Sequence, residues 1–350
     1  MAGAQPWTAE QDFRQALEAQ QAGRYEEAVQ LLARAGSQDH VMALSMLGGQ
    51  LMSGRGVKPD FASGLTLIHR AAELGGAYAW AVLAATSCSG LGGPSDWNAG
   101  LDQLQRAAEL GYGSAQAQLK ILAGLAGPSP PGAGWASLRR AIDLEAWIRP
   151  PAAETLLADP ELRVVPGLAP RPACDWLISS VRDRLQRALV HNPDTHLQNQ
   201  SDIRTNSNAM FRLTDANLIV MILQQRLAVA AGVQVGAMEG PQVLHYASGQ
   251  QYRRHFDFME PTLPGNAALI ERYGQRVATL LVYLNQGFEG GETDFPALGL
   301  RFKGRAGDAL LFRNVDRAGA PDRRMLHAGL PPTAGEKWLL SQWVRDRLQG

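Results

Sequence analysis

The sequence predicts a multidomain chain: an all-α helical repeat solenoid followed by an α+β domain with an antiparallel sandwich or barrel. Three observations predict it. Two stretches in the first third repeat at a fixed offset. A Pro/Gly-rich stretch then breaks the helical pattern. Beyond about residue 170, two helical runs give way to short apolar runs separated by Gly, Asn and Pro. Helices first and strands later is the order of an α+β domain.

The chain has 350 residues, 45% of them hydrophobic, and either half is long enough to bury its own core. Its 33 basic and 33 acidic residues cancel. That argues against nucleic acid or an acidic membrane as a partner. Two cysteines, Cys88 and Cys174, exclude a disulfide framework and a four-cysteine metal cluster. The N-terminal stretch lacks the basic start and apolar run of a signal peptide. No apolar run approaches the ~18 residues of a membrane span. A soluble, reduced, cytoplasmic protein is the expectation.

The repeat is read by aligning LGGQLMSGRGVKPDFASGLTLIHRAAELG (47–75) with LAATSCSGLGGPSDWNAGLDQLQRAAELG (83–111). Leu47, Gly54, Asp60, Gly64 and Leu65 recur as Leu83, Gly90, Asp96, Gly100 and Leu101, an offset of 36 residues. A fixed period of this length marks stacked two-helix units. Gly75 and Gly111 stand where a helix ends in a left-handed residue. Residues 12–35 read as a further helix pair turning at Gly23. The G-V-x-x-D and A-A-E-x-G signatures resemble Sel-type tetratricopeptide-like repeats over 10–124, although the second unit has Gly93 where the first has Val57. Such arrays either bind a peptide or protein on a concave face or brace a neighbouring domain. Residues 125–160 read as a Pro/Gly-rich linker with one short helix at 135–148.

The second domain is expected over 161–350, with ELRVVPG as an edge strand. ACDWLISSVRDRLQRALV is expected to be one helix. TDANLIVMILQQRLAVAAG is expected to be another, capped by Thr214 and stopped by Gly232. In YRRHFDF, His255 and Asp257 fall two apart on an expected strand, so both side chains share a face. Alone, a strand histidine beside an aspartate is an ordinary pair. His327, in MLHAGLP, supplies a second imidazole. Two histidines and one carboxylate leave coordination positions open, which suits non-haem Fe(II). Lys337 follows on an apolar strand, where a buried amine needs an anionic partner. The acids of EGGETDFP, read as a turn before a strand, are poor ligand candidates. Of Arg253 and Arg254, strand alternation points one in, where it could meet an acidic substrate, and one out; two solvated charges are the favoured alternative. His245 alternates with Tyr246 and is expected to face away from the site.

QVLHYASGQQYRRHFDF, RVATLLVYLNQGFEGGETDFP and LHAGLPPTAGEKWLLSQWV resemble the core segments of the prolyl 4-hydroxylase family of 2-oxoglutarate/Fe(II) dioxygenases. RTNSNAMF resembles its upstream R-T-S motif. The resemblance spans about residues 160–348. It implies a double-stranded β-helix (jelly-roll) core. It assigns the metal to His255, Asp257 and His327, and the far carboxylate of 2-oxoglutarate to Lys337. Tyr246, Thr279 and Trp343 match family positions near the cosubstrate. Fe(II), 2-oxoglutarate and O2 are the implied cofactor set, with L-ascorbate as auxiliary. The implied reaction is hydroxylation of a peptide or protein, foremost at proline, with succinate and CO2 as co-products. The attached repeats suggest a macromolecular substrate held near the site. A repeat scaffold with an inactive oxygenase domain, or a hydroxylase of a free amino acid or small metabolite, are the alternatives.

Overall fold

The computed structural model describes residues 8–125, 134–191 and 198–349. The first seven residues and residues 126–133 of the expected linker lie outside the described residues. Among the described residues, no helix is long and apolar enough to cross a membrane. The chain divides into two compact units. One is Met1–Asp143 with Arg212–Met221; the other is Leu144–Phe211 with Ile222–Gly350. The division therefore falls at 143/144, inside the stretch read as a linker, and a ten-residue segment of the second half groups with the repeats.

The first unit contains α1 (Ala9–Gln21), α2 (Tyr25–Gly36), α3 (Val41–Ser53), α4 (Phe61–Glu73), α5 (Ala77–Ser89), α6 (Trp97–Glu109) and α7 (Gly113–Leu122). The starts of α3, α5 and α7 keep the 36-residue period, as do those of α4 and α6. The sequence repeats because the structural causes repeat. Asp60 and Asp96 each accept the N–H three residues on, Ser63 and Ala99, and so start α4 and α6. Gly54 and Gly90 end α3 and α5 at φ 71° and 73°. Gly64 is needed for close packing: a Cβ there would lie 2.6 Å from the Gly48 carbonyl oxygen. A Cβ on Gly100 would likewise overlap Cys88 Sγ. α8 (Trp135–Ala141) closes this unit. Where one helix was expected over 135–148 there are two, because Ile142 is extended at ψ 113° before α9 (Leu144–Ile148) begins.

The second unit is built on antiparallel sheets. Its strands are β1 (Glu154–Ala158), β2 (Glu161–Val165), β3 (Gln186–Arg187), β4 (Val190–His191), β5 (Gln198–Asn199), β6 (Ser207–Met210), β7 (Gln242–Tyr246), β8 (Tyr252–His255), β9 (Arg276–Tyr283), β10 (Glu289–Gly290), β11 (Thr293–Phe295), β12 (Leu300–Phe302), β13 (Ala309–Arg313), β14 (His327–Gly329), β15 (Pro332–Ala334) and β16 (Lys337–Arg345). The large sheet runs β1-β2-β13-β9-β16-β7-β6-β3, and a smaller one runs β12-β11-β14-β8. Leu162, Leu244, Leu281, Leu310 and Leu339 of the large sheet share one buried cluster with Phe295 of the small sheet and with Met325. This two-sheet core is the expected jelly-roll layout.

Several local expectations are corrected. β2 is not an edge strand: it pairs with both β1 and β13, and β1 forms the edge. The helix from Ala173 stops early; α10 spans Arg171–Val181, and the chain then makes a short 3-10 turn into β3. The next long helix, α11 (Leu218–Ala231), is not capped by Thr214, which lies in the 3-10 turn Leu213–Asp215. Asn217 Oδ1 accepts the Val220 N–H instead. Gly232 ends α11 at φ 69°, as expected. In EGGETDFP, Thr293–Phe295 is itself a strand rather than a turn before one.

Candidate metal centre

β8 and β14 are neighbours, and their register sets His255 directly opposite His327. The next pair is Tyr252 with Gly329, so Arg253 and Arg254 together oppose Ala328. This β-bulge breaks the regular alternation. It lets Tyr252 and His255, three residues apart, line the same cavity. It also leaves both arginines exposed, so the expectation that one faces in is corrected. β8 ends at His255; Asp257 lies in the bend beyond it, not on the strand. Its carboxylate returns to the same place. Ligand atoms of His255, Asp257 and His327 all lie within 4.8 Å of one another. Asp257 oxygens stand 3.6 Å from His255 Nε2 and 3.5 Å from His327 Nε2.

Both imidazoles are oriented alike. His255 Nδ1–H donates to the Arg253 carbonyl at 2.7 Å, and His327 Nδ1–H to the Met325 carbonyl at 3.0 Å. Each Nε2 lone pair is thereby turned toward Asp257, the tautomer a metal needs. The Tyr252 ring stacks on His255 at 3.4 Å between centroids, and the Arg204 guanidinium lies 4.8 Å from the Tyr252 ring centre. Phe312 packs edge-on to His327 at 5.0 Å. Burial, reinforced by His255, pushes the His327 imidazole down to about 4, so it is neutral at neutral pH. Burial opposes the charge on Asp257. The two imidazoles and the Thr279 hydroxyl outweigh it and hold the carboxyl well below its ordinary range. Thr279 Oγ1 donates to Asp257 Oδ2 at 2.7 Å, and Asn314 Nδ2 donates to Thr279 Oγ1 at 2.9 Å. Thr279 thus braces the carboxylate.

Lys337 opens β16, opposite Tyr246 of β7. It is 0% exposed, and its Nζ has no hydrogen-bond partner among the described residues. The amine sits 5.2 Å from the Tyr246 ring centre and 5.5 Å from that of Tyr283. Burial pushes it down from 10.5 to about 7, with Glu292 opposing the shift. A buried, unbonded amine in a cavity with two imidazoles and a carboxylate is the mark of a missing anion. Tyr246 and Trp343 line this cavity too; Trp343 Nε1 is also buried and unbonded, and its ring carries Arg276 at 3.6 Å. His245 lies outside the lining, bonded to Glu336 at 2.8 Å and packed on Trp338. Arg204, Tyr252, Thr293 and Ser341 complete the polar lining. Of these, Arg204 was signalled only by the R-T motif that contains it, and Ser341 by nothing local.

The donor set suits Fe(II) with open positions, and the lone amine suits a dicarboxylate beside it. Residues 241–345 match the model of the 2OG-Fe(II) oxygenase superfamily. Prolyl 4-hydroxylase 2 of Arabidopsis thaliana is 32% identical over 218 residues, covering 56% of this chain and 71% of that protein. A viral collagen prolyl hydroxylase from Paramecium Bursaria Chlorella virus-1, solved with 2OG, is 27% identical. It covers 53% of this chain and 95% of its own at a TM-score of 0.41. A Sel1 repeat protein from Oxalobacter formigenes is 20% identical, covering 40% of this chain and 61% of its own at a TM-score of 0.32. The jelly-roll unit with this donor set is that of a 2-oxoglutarate/Fe(II) dioxygenase. The chain belongs to the prolyl 4-hydroxylase family of these enzymes, and it carries helical repeats ahead of the catalytic unit.

Proposed function

We propose that the chain hydroxylates a peptide or protein substrate, with proline as the target residue, and releases succinate and CO2. The observation that carries this reading is the unbonded Lys337 amine in the same cavity as the His255, Asp257 and His327 ligand atoms. In this reading the triad holds Fe(II), and Lys337 pairs with the far carboxylate of 2-oxoglutarate. Bound Fe(II) and 2-oxoglutarate supply the power to activate O2. The chain's own residues do the rest. Thr279 fixes the Asp257 carboxylate, Tyr246 walls the cosubstrate side, and Trp343 lines the same cavity. The proline target rests on the family and on the prolyl hydroxylases among its relatives. L-ascorbate is the auxiliary reductant in this reading, and the cytoplasm is the compartment. The catalytic domain is assigned to 161–350 and the repeats to 10–124, with 125–160 joining them.

The test is succinate release from 2-oxoglutarate with Fe(II) and O2, with mass spectrometry for one added oxygen atom on proline-containing peptides. Asp257→Ala abolishes both signals and iron retention. Oxygen added to free amino acids but never to peptides moves the assignment to a small-metabolite hydroxylase. Wild-type protein that neither retains iron nor forms succinate with any peptide is a repeat scaffold with an inactive oxygenase domain.

A further inference from the structure

The first helices of three consecutive repeats converge on one short stretch of the same chain. In α3, Gly49 faces Thr214 so closely that a Cβ there would lie 3.2 Å from Thr214 Cγ2. In α5, the Tyr78 hydroxyl donates to the Thr214 carbonyl at 2.7 Å. In α7, Gln118 Nε2 donates to the Ala216 carbonyl at 3.0 Å, and Gln118 Oε1 accepts the Leu218 N–H at 2.7 Å. We infer that the repeats hold residues 213–218 as a built-in peptide ligand, gripped by main-chain hydrogen bonds to Tyr78 and Gln118.

The array supplies its own control. Thirty-six residues before Gln118 stands Val82, and one period earlier stands Met46. Val82 is fully buried. Only in the α7 repeat is this position a polar amide, and it too is 0% exposed. A buried amide costs free energy unless its donor and acceptor are both used. Within its own helix Gln118 reaches Ser114 Oγ; beyond that helix it bonds main-chain groups of 216 and 218. Main-chain bonds are how a binding surface grips a peptide irrespective of its side chains.

The gripped stretch has a particular shape. Ala216 is fully buried with φ 49°, a left-handed conformation rarely held by a residue with a Cβ. It turns the chain from the Leu213–Asp215 turn into α11. The N–H that Gln118 accepts belongs to the first residue of α11, one of the donors a helix start leaves unpaired. Gln118 therefore caps a helix that begins 100 residues later in the chain. Two turns on, Gln224 Nε2 of the same helix donates to Gln342 Oε1 of β16 at 3.0 Å, between the cavity residues Ser341 and Trp343. The face made by α3, α5 and α7 is thus used within the chain. Its task is to set the start of α11.

Hydrogen exchange on the full-length protein, read by mass spectrometry, tests this. In Gln118→Met, which installs the residue of the first repeat, peptides covering 212–221 are expected to exchange about tenfold faster or more, as loss of buried hydrogen bonds implies. Those from α3 to α6 keep their protection. Tyr78→Phe removes one hydroxyl and keeps the ring, so it carries the test if Gln118→Met does not fold. It is expected to speed exchange over 213–216 by roughly threefold. Unchanged exchange over 212–221 in the folded variants overturns the inference. So does equal acceleration throughout α3 to α6, which would make Gln118 an ordinary core residue.

Discussion

Gln118 and Lys337 are both buried without exposure, and the chain treats them in opposite ways. Every polar group of Gln118 is bonded, to Ser114, Ala216 and Leu218. The Lys337 amine is bonded to nothing among the described residues. A buried polar group left unpaired weakens the fold. One that is fully paired defines it. The contrast separates two uses of an interior polar residue. In the repeats it fixes architecture, with its partners built into the chain. In the catalytic unit it is left unbonded beside the triad, where the proposed dicarboxylate would pair with it.

The largest effects test that contrast with the same substitution in both places. Lys337→Met is expected to weaken 2-oxoglutarate binding by at least about 2 kcal/mol, because one partner of a buried ion pair is lost. It should also raise the melting temperature of the unliganded protein, since an unpaired buried amine is removed. Gln118→Met should lower it, at a cost of about 1–3 kcal/mol for the main-chain groups left unpaired. Calorimetric melting and binding titrations read both. A Lys337→Met protein that melts lower and binds 2-oxoglutarate normally would break the comparison.

The pH dependence sharpens it. The Lys337 amine is pushed down to about 7 from an ordinary 10.5. Between these values the unfolded chain holds a proton that the unliganded folded chain has lost. This group's contribution therefore makes the unliganded fold more stable as pH rises through that window. Binding a dicarboxylate restores the charge, so binding takes up a proton above about pH 7 and weakens as pH rises further. Titration calorimetry in buffers of different ionisation enthalpy measures the uptake. Zero uptake at pH 8 would mean that the amine is already charged.

A smaller effect is expected where a residue only orients a ligand. Tyr252→Leu removes the ring stacked on His255, and Thr279→Val removes the donor to Asp257. Each should cost roughly tenfold in iron affinity, the usual scale for such supports. Metal competition assays measure this, with the fold monitored by circular dichroism. The smallest effect lies in the repeats. Asp96→Ala removes the cap of α6 and should cost about 1 kcal/mol in unfolding free energy, with no change in iron affinity.

The repeats were legible because their causes are local. The capping aspartate and the terminal glycine act within a turn, and the close-packing glycine meets only the helix just before it, so structure and sequence share one period. The candidate site was legible as residue types and spacing, in His255, Asp257, His327 and Lys337. Its local geometry was not. Asp257 was expected on a strand and sits past its end. One arginine of the pair was expected inside, and both are outside. Both errors have one source: the register of β8 is set by β14, some seventy residues away. The start of α11 was misread for a similar reason. Thr214 has the right side chain for a cap, but its stretch is held by Tyr78 and Gln118, which a local pattern does not contain.

The bulge at Arg253 and Arg254 acts as an adapter for an odd spacing. In a regular strand, residues three apart face opposite sides. The extra residue opposite Ala328 cancels that alternation, so Tyr252 and His255 line the same cavity. Both arginine side chains are exposed and take no part in this. A chain shorter by one residue there would set the tyrosine and the histidine two apart, and regular pairing would keep both on the cavity side. The bulge preserves a face, not a count.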